Sequence, residues 1–290
     1  MSGFTILSTV EAIAIGNFDG MHLGHKSLFK ELNQNGAIVV IEHFCSTLTP
    51  HAYRTLFTKL PIFFYDFETI RQMEPKTFVK KLTNDFPKLS RIVVGEDFLF
   101  GLNRSGDTKL LKKLFLGEVV VVKEVKLNEV PIHSSLIRKL IKSGNIDKAN
   151  QMLGRSYEIW GEAIQGQGIG KKKLVPTINL STSRFLLPKP GVYATETFIN
   201  GNYLPSVTFL GHRATTDGNF SIETHIIDKD IQNIKRKVSI KFKRFIRKNR
   251  KFNSLDELKK QILKDIDYNK HPSNHNTTCT LKTHNNLNFQ

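Results

Sequence analysis

His22 and His25, with Gly24 between them, stand where the chain changes character twice within a few residues. Imidazoles at that spacing can donate hydrogen bonds, or add positive charge, to phosphate oxygens, and neither has to ligate a metal. A second group of similar chemistry follows at Ser134, Ser135 and Arg138, where hydroxyls and a guanidinium open a helical pattern. Such a helix start suits the phosphates of a nucleotide. Read without chemistry, the same residues are a solvated loop with two histidines and a capped helix with an exposed arginine.

The elements around them favour the chemical reading. Ile13, Ala14 and Ile15 form an apolar run of the kind a sheet buries, and it breaks at Gly16 into a polar turn, Asn17-Phe18-Asp19-Gly20. Leu28 and Leu32 then fall at helical spacing, so a helix should start near Leu23. Strand, glycine turn and helix together aim backbone N–H groups at one point, where Gly16, Asn17, Phe18, Asp19 and Gly24 would border an anion. Residues 37–41 and 91–94 read as further buried strands, and 119–122 as another. Helical patterns carrying Phe78, Val79 and Leu82, and then residues 109–115, lie between them. This alternation predicts an α/β domain with a parallel sheet, whose ligand lies beyond the C-terminal strand ends. The turn Gly95-Glu96-Asp97-Phe98-Leu99-Phe100-Gly101 also follows a strand end, so it should face the same crevice. Asp97 there either bonds its own backbone or serves a ligand. A serine should cap the helix that runs from about Ser134 to Ser143 and stops at Gly144.

After Gly154 helical periods give way to short alternating strands with glycine turns, at 157–164, 191–198, 203–209, 221–227 and 238–242. A small antiparallel barrel is the expected result. A closing helix begins at Ser254, with Glu257 completing a capping box, and buries Leu258, Ile262 and Ile266. We therefore expect an α/β domain over 1–153, a barrel over 154–268 and a disordered tail over 269–290.

The balance of 43 basic against 26 acidic residues, a formal +17, suits anionic partners. Two distant cysteines, Cys45 and Cys279, build neither a disulfide framework nor a zinc site, which fits a reducing, cytoplasmic setting. No apolar run is long enough to span a bilayer, so no membrane partner is expected.

H-x-G-H at the first turn resembles the signature of the nucleotidyltransferase superfamily. Taken with Gly95–Gly101 and the Ser134-Ser135…Arg138 segment, the order resembles bacterial bifunctional riboflavin kinase/FAD synthetase, with Leu99 where that family usually has arginine. Only a partial echo of the family's Thr-Phe-Asp-Pro-His-Pro-like segment stands at residues 43–51. In the second half, Gly166-Gln167-Gly168-Ile169-Gly170 leading to Pro176-Thr177-Ile178-Asn179 is similar to the family's glycine-rich lead into P-T-A-N. Gly191-Val192-Tyr193-Ala194, Leu210-Gly211-His212-Arg213 and the segment around Glu223 match its kinase module as well.

The resemblance implies a nucleotidyltransferase-like, Rossmann-like sheet domain followed by a β-barrel kinase. It implies riboflavin, FMN and FAD as substrates and products, and ATP with Mg2+. His22, His25 and Arg138 would then meet ATP phosphates, with Ser134 and Ser135. Asp97, Phe98 and Phe100 would border the flavin. Gly168 and Gly170 would wrap a second ATP, the Thr177 hydroxyl and Asn179 amide oxygen would suit magnesium, and Glu223 would be the general base. By spacing alone Glu223 is an outward residue of a strand, and Lys171, Lys172 and Lys173 are a solvated run whose field can still steer ATP.

Two other readings stay open. Decay of one site would leave a protein with a single activity. The basic run 235–251, interleaved with Phe242, Phe245 and Phe252, could face nucleic acid, although those aromatics fall on core periods.

Overall fold

The computed structural model describes residues 7–43, 47–164, 175–213, 215, 218–229, 231 and 234–270. They form two units: Met1–Ile159 with Thr182–Lys189, and Trp160–Ser181 with Pro190–Gln290. The first unit thus takes in a segment that lies, in sequence, between two barrel strands. Thr47 accepts from Leu186 N and donates to Arg184 O through its backbone, at 2.9 and 2.8 Å. The Tyr157 hydroxyl donates to Leu186 O at 2.6 Å.

In the first unit, β1 (Ala12–Gly16), β2 (Gly36–Glu42), β3 (Ile62–Asp66), β4 (Arg91–Gly95) and β5 (Glu118–Val122) make one sheet. Its order is β3-β2-β1-β4-β5, and every pair is parallel. Alternation across the pleat, with both faces covered, explains why the strand interiors are apolar while charges such as Glu42, Asp66, Arg91 and Glu118 stand at strand ends. Ile13, Ile15, Val39, Ile92 and Val94 face one core, joined by Phe78, Val79 and Leu82 of α3 (Pro75–Asp85) and Leu111 of α4 (Thr108–Leu114). Ala14, Ile38, Val40 and Val93 face the other, covered by Leu28 and Phe29 of α1 (Leu23–Phe29). A short helix, α2 (Phe67–Ile70), follows β3, and a small hairpin of β6 (Lys126–Leu127) and β7 (Val130–Pro131) precedes α5 (Ser134–Ser143). Helix α5 and α6 (Ile146–Leu153) each end on a glycine with positive φ, Gly144 at 85° and Gly154 at 67°, where a side chain would be strained.

The strand order reverses between β1 and β4. Ligands of such sheets bind there, outside the carboxyl ends of the strands. The turns after Gly16 and Gly95 are therefore neighbours, as the sequence order predicts.

The second unit is a closed barrel, β10-β11-β12-β9-β8-β13. Its strands are β8 (Tyr157–Ile164), β9 (Ile178–Ser181), β10 (Gly191–Ile199), β11 (Asn202–His212), β12 (Phe220–Ile226) and β13 (Lys237–Arg247). Strand β9 was not among the strands expected from the sequence: at four residues its alternation of Ile178 and Leu180 with Asn179 and Ser181 is too short to stand out. Inside, Thr195, Thr197, Ser206, Thr208 and Thr224 are fully or almost fully buried and bond to one another at 2.8–3.0 Å. A hydroxyl both donates and accepts, so this cluster satisfies itself without water.

Helix α7 (Leu255–Lys270) starts as expected, with Glu257 N donating to Ser254 Oγ at 3.2 Å. It runs two residues beyond the expected domain end, and Asn269 donates to Ser206 O at 3.0 Å. Residues 271–290 lie outside the described residues. Ile262 and Ile266 pack on Val192, Val207 and Phe209, and Arg247 bonds the buried Asp265 through Nε and Nη2, the latter at 2.7 Å. Phe242 and Phe252 are buried, and Phe245 meets Tyr193 edge-on, so the aromatics of the basic run pack inward.

Candidate active sites

The turn between β1 and α1 is held in an unusual backbone path. Phe18, Gly20 and Met21 have φ of 48°, 86° and 45°. Left-handed conformation costs little for glycine, but of the order of 1–3 kcal/mol for the other two. The surroundings over-determine it. Asp19, almost fully buried, accepts from Arg138 Nε at 3.0 Å and Nη2 at 2.6 Å, and from Thr49 N at 3.1 Å. Ser134 Oγ donates to Asp19 O at 2.7 Å. Arg54, fully buried and paired with Glu42 at 2.8 Å, donates to Asn17 O at 3.3 Å. Arg155 donates to Gly20 O at 2.7 Å and Met21 O at 3.3 Å.

The Arg138 guanidinium pairs with the Asp19 carboxylate behind the turn while 35% of its side chain stays exposed, and Asp19 shapes the turn through the same bonds. One expectation changes here. The cap of α5 is His133, not a serine, since the Ser134 hydroxyl serves the Asp19 carbonyl. Arg54 and Arg155 were missed altogether. Each is far in sequence from the turn and sits in no recognisable motif, so only their buried positions could have marked them.

His22 caps α1, and its Nδ1 accepts from His25 N at 3.3 Å. The two rings stack with centroids 3.5 Å apart, and Phe18 meets His25 edge-on at 5.1 Å. A Cβ on Gly24 would lie 3.1 Å from the His22 ring and 3.3 Å from Ile132 O, which explains the glycine between the histidines. Burial first, then the charges of His133 and Arg155, push His22 down to about 3. Burial, His22, Arg54, Arg155 and His133 hold His25 well below the ordinary imidazole range. Both rings are therefore held in the neutral form near pH 7, which favours the first of the two roles left open by the sequence, hydrogen-bond donor rather than positive charge. His25 Nδ1 is buried without a hydrogen-bond partner among the described residues.

This has a measurable consequence. Unfolded histidines protonate near 6.5 while His22 resists down to about 3, so the unfolded state binds more protons between those values. Stability is complete above 6.5 and falls toward 3 by up to about 1.4 kcal/mol per pH unit for that histidine. Melting temperatures of wild type and His22→Asn, taken from pH 7 to pH 4, should converge as pH falls. Parallel curves would show that His22 is not titrating.

A crevice of about 1080 Å³ opens at the strand ends. Gly16, Asn17, Phe18, His22, Gly24, His25, Ser134 and Ser135 line it, together with Asp97, Phe98 and Phe100. Within that lining, Asn17 Nδ2 donates to Ile41 O at 3.1 Å and Phe18 is buried, so Phe18 offers little but backbone. The Asp97 side chain is exposed and its carboxylate has no partner among the described residues, so it does not close its own turn. Phe98 stacks on Phe100, which is 4% exposed and forms part of the core beneath the crevice. His133 also borders the space, bonded through Nε2 to Glu124 at 2.6 Å, a pair the sequence did not suggest.

In the barrel, Asn179 lies directly opposite Glu223 in the β9–β12 ladder, and Thr177 is two residues from Asn179. The period of two therefore puts all three on one face, while Ile178 and Thr224 point inward and are buried. Glu223 pairs with Arg213 at 3.2 Å, the arginine of the Leu210-Gly211-His212-Arg213 segment. No bond ties the Thr177 or Asn179 side chains among the described residues. Hard oxygens clustered beside a carboxylate fit a magnesium ion. Gly168, Gly170 and the three lysines at 171–173 lie outside the described residues.

Comparison with known proteins finds a family for each half of the chain. Residues 153–272 match the riboflavin kinase family, and residues 7–63 and 61–136 match the FAD synthetase family. A bifunctional riboflavin kinase/FMN adenylyltransferase of Buchnera aphidicola subsp. Acyrthosiphon pisum is 30% identical, over 90% of this chain and 92% of its own. The protein of that name from Escherichia coli K12 is 29% identical, over 87% and 90%. A crystal structure from Streptococcus pneumoniae, described as a macrolide-efflux protein, superimposes with a TM-score of 0.80 at 26% identity, covering 90% of this chain and 94% of that one. Among the described residues no helix is long and apolar enough to cross a membrane. With both families matched in order and a relative of this identity aligned along nearly its whole length, the chain belongs to the bifunctional riboflavin kinase/FMN adenylyltransferases.

Proposed function

We propose that the barrel phosphorylates riboflavin and that the crevice of the α/β unit adenylylates the FMN so formed. In the first step the ribityl hydroxyl oxygen attacks the γ-phosphorus of ATP, its proton passes to Glu223, and ADP leaves. Arg213 keeps the carboxylate in place until substrate arrives. The Thr177 hydroxyl and Asn179 amide oxygen would hold Mg2+, which supplies charge neutralisation at the phosphates when bound. In the second step an FMN phosphate oxygen attacks the α-phosphorus of another ATP, and the bond to pyrophosphate breaks.

Both reactants of that second step are anions, so donors must await the charge that develops. His22 and His25 offer neutral imidazole N–H groups beside the phosphates, with Ser135 and the turn around Gly16 and Gly24. Asp97 and Phe98 border the flavin end. The observation that carries this reading is the meeting of the H-x-G-H turn, the 95–101 turn and the start of α5 around one crevice at the switch point. The cytoplasm is the proposed location, since a sequence with only two cysteines, far apart and without a C-x-x-C motif, suits a reducing compartment.

The test is product analysis after mixing the protein with riboflavin, ATP and magnesium. FMN followed by FAD is expected. FMN alone would mean that the crevice has lost its chemistry, and FAD only from supplied FMN would mean the same of the barrel. Binding of RNA that collapses steeply with salt, with no flavin product, would favour a polyanion binder instead.

A further inference from the structure

Arg155 belongs to none of the segments that carry the two chemistries, yet it reaches the backbone of the most strained one. Its Nη2 donates to Gly20 O at 2.7 Å and lies 3.5 Å from Thr49 Oγ1, while Nη1 donates to Met21 O at 3.3 Å and Leu153 O at 3.4 Å. The guanidinium lies 3.7 Å over the Phe57 ring. Burial first pulls it down to about 10, low for an arginine. The other two arginines behind the turn have carboxylate partners, Glu42 for Arg54 and Asp19 for Arg138. Arg155 has none within ion-pair distance among the described residues, and its Nε is buried without a partner.

A buried cation with no carboxylate in ion-pair contact, only the more distant fields of Glu158 and Asp19, is a costly way to fill space, and an apolar side chain would pack there with less penalty. What an apolar residue, or a lysine, cannot do is hold two successive carbonyls with one planar fork. Those carbonyls belong to Gly20 and Met21, both left-handed, and Met21 is followed directly by His22. A turn that relaxed there would swing His22 and, through the Nδ1 bond to His25 N, the start of α1.

We propose that Arg155 is a positioning residue for adenylyl transfer, fixing the H-x-G-H turn from behind through the Gly20 and Met21 carbonyls. The inference rests on the reading of the crevice as the adenylyl-transfer site. Arg155 touches no substrate; it acts through the placement of His22 and His25. Misplacement of reacting groups by about 1 Å can cost on the order of 10²-fold in rate.

The experiment compares Arg155→Lys and Arg155→Met in the full chain, with two reactions measured on each sample. FAD formation from supplied FMN should lose roughly 10–10²-fold in kcat in both variants. FMN formation from riboflavin should stay near wild type, and serves as the internal measure of folded protein. Histidine ring resonances should shift for His22 and His25 in Arg155→Lys, which keeps the charge but not the fork. Near-normal FAD formation in a folded Arg155→Lys would overturn the proposal. Equal loss of both reactions would also overturn it, since that is general damage rather than positioning. A wild-type chain that makes no FAD would instead remove the crevice reading on which the proposal stands.

Discussion

Replacing Glu223 with glutamine should lower FMN formation by about 10²–10⁴-fold, the contribution that a positioned proton acceptor makes. Glutamine keeps the shape and reach of the side chain but cannot take the ribityl proton. The variant should still bind ATP and riboflavin, because Thr177 and Asn179 stay on the same face. It should also make FAD from supplied FMN at the wild-type rate, since that chemistry belongs to the other unit. One structural effect has to be separated. Glu223 is paired with Arg213, so the change removes that ion pair. Melting temperature and riboflavin affinity, measured alongside the rate, isolate that effect. A glutamine variant with near-normal riboflavin phosphorylation would return Glu223 to an outward residue of β12. Loss of binding and stability together would make it structural.

Replacing His22 and His25 with alanine should remove FAD formation and leave FMN formation largely intact. Each preorganised donor to developing phosphate charge is worth on the order of 10²–10³-fold, and here two are lost. Because both rings are held neutral by burial, the loss should not depend on pH between about 6 and 8. A charged histidine would instead give a rate that climbs as pH falls through that range. His22 is also the cap of α1, so His22→Asn, which can still accept from a backbone N–H, separates capping from chemistry. If His22→Asn and the double alanine variant lose FAD formation alike, the imidazole itself is needed. Equal loss of FMN and FAD formation in the double variant would sink the division of the two reactions between the units.

Much of this architecture is written in local pattern. Apolar runs at 13–15, 37–41 and 92–94 read as strands buried on both faces, and the period of two sends alternate residues to the two cores actually formed. Gly144 and Gly154 stop helices because the left-handed stop excludes most side chains. The placement of both turns on one crevice follows from strand order in a parallel sheet, which right-handed crossovers leave little freedom to change. Residue type and spacing likewise marked His22 and His25, whereas Asn179 and Glu223 were marked only through the family resemblance of their segments.

Tertiary structure alone decided the rest, where long-range burial overrides residue type. That Arg138 pairs with the buried Asp19 carboxylate at 2.6 Å is visible only once the chain is folded. By type His22 and His25 could serve as neutral donors or as cations, and burial with nearby positive charge favours the neutral form. Arg54 and Arg155, distant in sequence and ordinary in local pattern, become supports of the first turn only once folding brings them behind it. Spacing along a chain reports which groups can share an element. Charge state and partner depend on desolvation and on residues tens of positions away, and those exist only in the folded protein.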